Sequence, residues 1–104
     1  IYNANCSACH MKEGQGVPNV FPPLGKSDYL NADKNRAINI LLNGLNGEIT
    51  VNGSKYNNVM PHLELTDDDI ASVLTYVYSK WENKGLEVNV DEVKKNKKWK
   101  LYFY

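Results

Sequence analysis

The sequence predicts an all-α fold of three main helices with one small β-hairpin. Three observations carry this. Ile38, Leu41, Leu42 and Leu45 recur at the i, i+3, i+4, i+7 spacing of a helix with one apolar face. Ile70, Val73, Leu74, Val77 and Trp81 do the same further on. Between them the period changes, and Ile49-Thr50-Val51, Asn52-Gly53, Ser54-Lys55-Tyr56 reads as a hairpin.

Taken in order, residues 1–10 read as the end of a first helix, with Tyr2 one turn before Cys6 on the same face. One turn is not stable alone, so this helix is expected to draw on residues before Ile1. Residues 11–30 carry Gly14, Gly16, Pro18, Pro22, Pro23 and Gly25, too many breakers for a helix or a central strand. They predict a long loop, of the kind that wraps a ligand. The second helix is expected over 32–43, with Asn31 or Asp33 at its start and Gly44 or Gly47 at its end. In the hairpin, Asn52-Gly53 suits a type I′ turn, whose two central residues both need positive φ. Thr66 opens the third helix, and Asp67, Asp68 and Asp69 stand in its first turn, where carboxylates favour the positive end of the helix dipole. After Trp81 regularity fades. Lys94, Lys95, Lys97, Lys98 and Lys100 precede an aromatic ending of Trp99, Tyr102, Phe103 and Tyr104. This segment reads as a solvated tail whose rings pack back on the domain, or as a docking segment. The expected division is a domain over 1–83 and a lysine- and aromatic-rich extension over 84–104.

With 12 basic and 12 acidic residues, the 104-residue chain has no formal net charge. That speaks against nucleic-acid binding, which needs a basic excess. No apolar run approaches the ~20 residues that span a bilayer. A single domain of this size has a modest core and gains from a staple.

The staple is indicated by Cys6-Ser7-Ala8-Cys9-His10, a C-x-x-C-H pattern that reads as covalent attachment of haem c. Two thiols three residues apart lie on one side of a helical turn, where each can add to a haem vinyl group. His10 can then turn its imidazole to the iron. The same two cysteines also suit a thioredoxin-like centre or, with His10 and His62, a zinc site. The first wants a βαβ context that is not visible. The second would strain the adjacent Cys9 and His10.

Of the two methionines, Met11 adjoins His10 and cannot reach the opposite face of a haem. Met60 can, and it becomes the second axial ligand. His62 is the competitor, and if it instead lies at the methionine-side surface its charge can respond to pH near neutrality. The Nδ1–H of His10 needs an acceptor, and a backbone carbonyl of the Pro22-Pro23-Leu24 loop is the candidate. With both axial positions filled, no open site for substrate remains, and the chemistry left is one-electron transfer.

These residues resemble a class I c-type cytochrome from Tyr2 to Trp81. The resemblance rests on Cys6, Cys9 and His10, on Pro22 and Leu24 as a Pro-x-Leu, and on Met60-Pro61. It implies that Tyr2 packs against the Leu74–Tyr78 region, and that three helices enclose one covalent haem c with His10 and Met60 as iron ligands. The family's usual glycine four residues before that aromatic would precede Ile1. Val20-Phe21-Pro22-Pro23-Leu24, Lys26-Ser27-Asp28-Tyr29-Leu30, Asn43-Gly44-Leu45, Ile49-Thr50-Val51-Asn52-Gly53 and Leu74-Thr75-Tyr76-Val77 further resemble cytochrome domains fused to copper-containing nitrite reductases. That likeness implies electron delivery to a type 1 copper centre. Free-standing periplasmic carriers, or cytochrome subunits or domains of bacterial dehydrogenases, are the alternative setting. A haem enzyme or gas sensor with a displaceable sixth ligand is the alternative from another class. Arg36 and Tyr56 are candidates for the haem propionates; Arg36 could equally be an exposed helix residue, and Tyr56 a hairpin residue against the haem. Lys12, Lys26 and Lys55 could ring the haem edge and steer an acidic redox partner, or merely keep the surface solvated. Covalent haem attachment implies an extracytoplasmic, periplasmic location, and hence an export leader or upstream domain before Ile1.

Overall fold

The computed structural model describes residues 1–103, with side chains as far as Lys97. The order of elements is α1 (Tyr2–Asn5), α2 (Ser7–His10), α3 (Asp28–Ala32), α4 (Lys34–Asn43), β1 (Ile49–Val51), β2 (Ser54–Tyr56), α5 (Asp67–Tyr78) and α6 (Val90–Phe103). The predicted first helix is two single turns broken at Cys6, whose φ of −119° departs from helical geometry. The long loop ends earlier than expected, at Ser27. Its hydroxyl accepts the Leu30 N–H at 3.0 Å and caps α3. Asp33 then breaks the chain and caps α4 through the Arg36 N–H, and Gly44 ends that helix at φ 80°. Leu45, which fits the helical stripe by spacing, lies beyond that end.

The hairpin forms in the expected register, with Ile49 opposite Tyr56 and Val51 opposite Ser54. Asn52 and Gly53 have φ of 51° and 83°, as a type I′ turn requires. Thr66 and Asp69 make a capping box at the start of α5, each side chain bonding the other's backbone N–H. Trp81 is not part of α5. The helix stops at Tyr78, and Trp81 and Glu82 both take left-handed backbone angles, φ 52° and 63°.

A further departure is α6, which local periodicity does not disclose. Asn89 and Glu92 form a capping box at its start. Val93 is fully buried and joins the same core as Ile38, Ile70 and Tyr78. Polar bonds complete the docking. Asn96 accepts from Asn39 at 2.8 Å and donates to Asn35 at 3.2 Å, Lys34 pairs with Glu92 at 2.7 Å, and Lys97 with Asp67 at 2.5 Å. The acidic first turn of α5 therefore serves the helix start and an ion pair to α6. The rings of Trp99, Tyr102, Phe103 and Tyr104, expected to fold back on the domain, lie outside the described side chains.

One prediction concerns pH. Lys34 bonds the Glu92 carboxylate and holds its pKa below the ordinary 4.5. A depressed carboxylate stabilises the folded state above its unfolded pKa and loses that contribution as pH falls through the folded one. Glu92→Gln keeps the capping geometry and removes the charge. Its stability deficit against the parent, measured by denaturant titration, should be full near neutral pH and shrink on acidification below about 4.5.

Candidate haem site

The C-x-x-C-H segment forms one helical turn, closed by bonds from the Cys9 and His10 N–H groups to the Cys6 carbonyl at 3.2 and 2.9 Å. This turn sends its three functional side chains to different places. Cys6 and His10 are buried and line an apolar cavity of about 740 Å³, counting its open mouth. Cys9 is exposed and lines a smaller cleft of about 480 Å³ on the neighbouring side. His10, Pro22 and Met60 border both spaces, so the two thiols flank the strip between the histidine and the methionine. Burial raises the pKa of the Cys6 thiol.

His10 Nδ1 lies 2.8 Å from the Pro22 carbonyl oxygen. A carbonyl only accepts, so Nδ1 carries the hydrogen and Nε2 keeps its lone pair. Burial lowers the pKa of the imidazole from 6.5 against the opposing pull of the Pro22 bond, which favours the neutral, metal-binding form. Pro22 lies on a loop strand fixed by reciprocal bonds between Val17 and Phe21 at 2.8 and 2.9 Å, and by Leu24 N–H to the Gly14 carbonyl at 2.7 Å.

Met60 comes from the other side. It is half-buried and pairs through its backbone with Leu45 at 2.8 and 2.9 Å, directly after the end of α4. Gly44 permits this approach, since a Cβ there would stand 2.6 Å from the Met60 carbonyl oxygen. Leu45 therefore belongs to the site as the residue that seats Met60, a role its place in a helical pattern conceals. His62 is exposed and lines neither space.

Leu24, Ala37, Leu41, Val73 and Val77 supply apolar walls. Arg36 is the charged residue at the larger cavity's edge. Its Nη2 donates to the Tyr29 carbonyl at 2.6 Å and its guanidinium lies 3.6 Å from the centre of the Tyr29 ring. Its Nε is buried with no hydrogen-bond partner among the described residues. Tyr29 was not singled out by sequence; nothing but its nearness to the proline loop would have signalled it. Tyr56 is buried and lines the smaller cleft, away from Arg36's cavity. Lys12, Lys26 and Lys55 line neither space. Lys26 pairs with Glu82 at 2.5 Å and Lys55 with Glu48 at 3.8 Å, all exposed.

Residues 1–81 match the family model for cytochrome c. The chain belongs to the cytochrome c family. It is 40% identical over 108 residues to cytochrome c-552 of Thermus thermophilus, covering 94% of this chain and 82% of that protein. It is 37% identical over 86 residues to cytochrome c6 of Gracilaria tenuistipitata var. liui, covering 80% and 69%. It is also 32% identical over 89 residues to the cytochrome c subunit of a quinone alcohol dehydrogenase of Gluconobacter oxydans, covering 82% of this chain and 18% of the subunit. The protein is a class I c-type cytochrome, a non-enzymatic electron carrier with one covalent haem c.

The residues present fit that group. A flat apolar macrocycle suits the cavity walls, and an acidic substituent suits the unpartnered Arg36 Nε, since a buried donor left unpaired costs about 1–3 kcal/mol. Gly44→Ala should damage the site locally. It combines a positive φ with a 2.6 Å clash, so it should destabilise the haem-loaded protein by more than about 1 kcal/mol in denaturant titration. Gly47→Ala has open space around it, and should cost less than Gly44→Ala.

Proposed function

We propose that Cys6 and Cys9 hold the haem as thioethers and that His10 Nε2 and Met60 sulfur are its two axial ligands. The observation that carries this is the position of His10 and Met60, which border the same two spaces while Cys6 and Cys9 open into one each. When bound, the group supplies a one-electron change at its iron. The chain's residues do the rest. The Pro22 carbonyl orients His10 and raises its basicity. Leu45 holds the Met60 backbone. Met/His ligation raises the reduction potential relative to two nitrogen ligands. Pro22 and Leu24 form the wall on the histidine side. Arg36, steadied by Tyr29, pairs with a propionate, and Tyr56 packs at the opposite edge as a second, weaker candidate for that contact. With both axial positions taken, no coordination site is left for a substrate or a gas.

We infer further that the cytochrome works outside the cytoplasm, in the periplasm or an equivalent compartment, where covalent haem attachment takes place. Residues 1–83 form the haem-bearing unit, and 84–104 are an extension to it; the family match over 1–81 supports this division. The partner is another redox protein or a fused redox domain. The coverage of Thermus cytochrome c-552 favours a single-domain carrier, and the Gluconobacter subunit favours a dehydrogenase setting. The type 1 copper centre of a fused nitrite reductase is the narrower partner suggested by the 20–30, 43–53 and 74–77 segments, and none of the relatives named above supports it.

Optical spectra of the protein from a cytochrome-maturing host test the ligation. A reduced c-type spectrum that survives acid–organic extraction, with a methionine-sulfur charge-transfer band when oxidised, is the expected result. Met60→Ala should abolish that band and allow rapid binding of carbon monoxide to the reduced protein. A parent protein that already binds carbon monoxide rapidly would overturn the electron-carrier ligation in favour of a sensor or enzyme.

A further inference from the structure

Trp81 stands where a bulky residue is rarely found, in left-handed backbone at φ 52° and next to a second such residue, Glu82 at 63°. Such strain persists only when the surroundings over-determine it, and here they do so from both ends of one loop. At the loop's start, the indole Nε1–H donates to the Glu13 carboxylate at 3.2 Å, and the ring presses on Gly14, where a Cβ would come within 2.6 Å of it. At the loop's end, a Cβ on Gly25 would lie 2.8 Å from the Trp81 Cβ, and the Trp81 carbonyl accepts the Lys26 N–H at 3.1 Å. The ring thus sits as a wedge across the base of the 13–26 loop.

What the wedge touches is one step from the histidine. The Gly14 carbonyl accepts both the Leu24 and Gly25 N–H groups, at 2.7 and 3.1 Å. Gly16 N–H donates to the His10 carbonyl at 2.9 Å, and a Cβ on Gly16 would lie 2.3 Å from the Phe21 and 2.8 Å from the Pro22 carbonyl oxygen. Gly16 thus lets the Phe21–Pro22 backbone lie close to the segment bonded to His10, and the Gly14 carbonyl ties Leu24 and Gly25 to the same loop. The ring also contacts Tyr2 at 5.2 Å between centroids, and the Tyr2 hydroxyl donates to the Met11 carbonyl at 2.6 Å. Both chain segments that bracket the imidazole are braced against one side chain.

We infer that Trp81 is a positioning residue for His10: by fixing the span of the 13–26 loop it sets the Pro22 carbonyl against Nδ1, and so tunes the iron's reduction potential from a position that lines neither haem cavity. The inference rests on the proposed ligation by His10. A tight Nδ1–H···O bond makes the imidazole a stronger electron donor and favours ferric over ferrous iron. Releasing the wedge loosens the bond and shifts the potential upward.

The test uses the haem-loaded protein. In the reduced, diamagnetic state, proton spectroscopy of the parent first asks whether the His10 ring protons carry the large upfield shift of a ligand above a macrocycle. If they do not, the ligation fails and the proposal with it. If they do, Trp81→Leu should speed solvent exchange of the His10 Nδ1–H on the order of tenfold and move the potential positive. Trp81→Phe, which keeps an aromatic ring at the loop base but loses the indole's second ring and its bond to Glu13, should restore part of both. Tyr76→Leu removes another ring of the same cluster, 6.1 Å from Trp81 and 5.9 Å from Tyr2, with no hydrogen bond to the 13–26 loop among the described residues. It should lower the melting temperature and leave exchange and potential unchanged. A folded Trp81→Leu with parental exchange and potential overturns the proposal, as does a Tyr76→Leu that moves them equally. Should Trp81→Leu not fold, Gly25→Ala displaces the wedge from the other side at ordinary backbone angles and should shift the same two readouts in the same directions. Parental values there overturn the proposal too.

Discussion

The constraint on which the structure depends is an apolar cavity that draws its walls from α4, α5 and the proline loop. Its walls are Ala37 and Leu41 from α4, Val73 and Val77 from α5, and Leu24 from the proline loop. These are the apolar stripes that would close on each other in an ordinary helical domain. They are held apart by elements with independent anchors. The 13–26 loop is tied to Trp81 beyond α5, Met60 to the end of α4 through Leu45, and α4 to α6 through Asn35, Asn39 and Asn96. Left unfilled, apolar walls held apart forfeit contacts with one another. The covalent haem restores them, and is thereby part of the core as well as the redox centre.

Local sequence disclosed the pieces whose causes are local. The Cys6–His10 turn, the Asn52-Gly53 hairpin, the Thr66 cap and the Asp33 and Gly44 limits of α4 each depend on a few neighbouring residues, and each is where the sequence put it. What stayed hidden depends on contacts across the chain. Two turns replace the expected first helix because Cys6 bends the backbone. Periodicity carried Trp81 into α5, yet its packing against Gly14 and Gly25, more than fifty residues earlier, draws it out of the helix. The helix α6 has too few apolar positions to announce itself. It forms because Val93 enters the core and because Asn96, Glu92 and Lys97 find partners on α4 and α5.

The site divides in the same way. Residue types with distinctive chemistry were legible: the paired thiols, the adjoining histidine, the proline loop, the distant methionine, and Arg36. The residues that position them were not, because Tyr29, Leu45, Gly16 and Trp81 act through a carbonyl, a backbone pair, a missing side chain and a wedge. Lys26 and Lys55 carry charge in the sequence, and the structure shows each engaged with a carboxylate and lining neither space. Charge alone did not reveal their partners.

On the proposed ligation, both arms of the iron site are governed by main-chain geometry. Pro22 lacks an N–H of its own and has its φ fixed by the ring, so its carbonyl meets Nδ1 from a strand that can shift little. Met60 is held by a reciprocal backbone pair immediately after a glycine that admits no side chain. Neither arrangement depends on a titrating side chain or a long flexible one. A change of one electron at the iron therefore meets ligands whose supports are tied by backbone bonds. That rigidity suits a carrier, whose task is to gain and lose charge with little rearrangement. It also means that the potential is adjusted by small displacements of the supporting loop, which is where Trp81 bears.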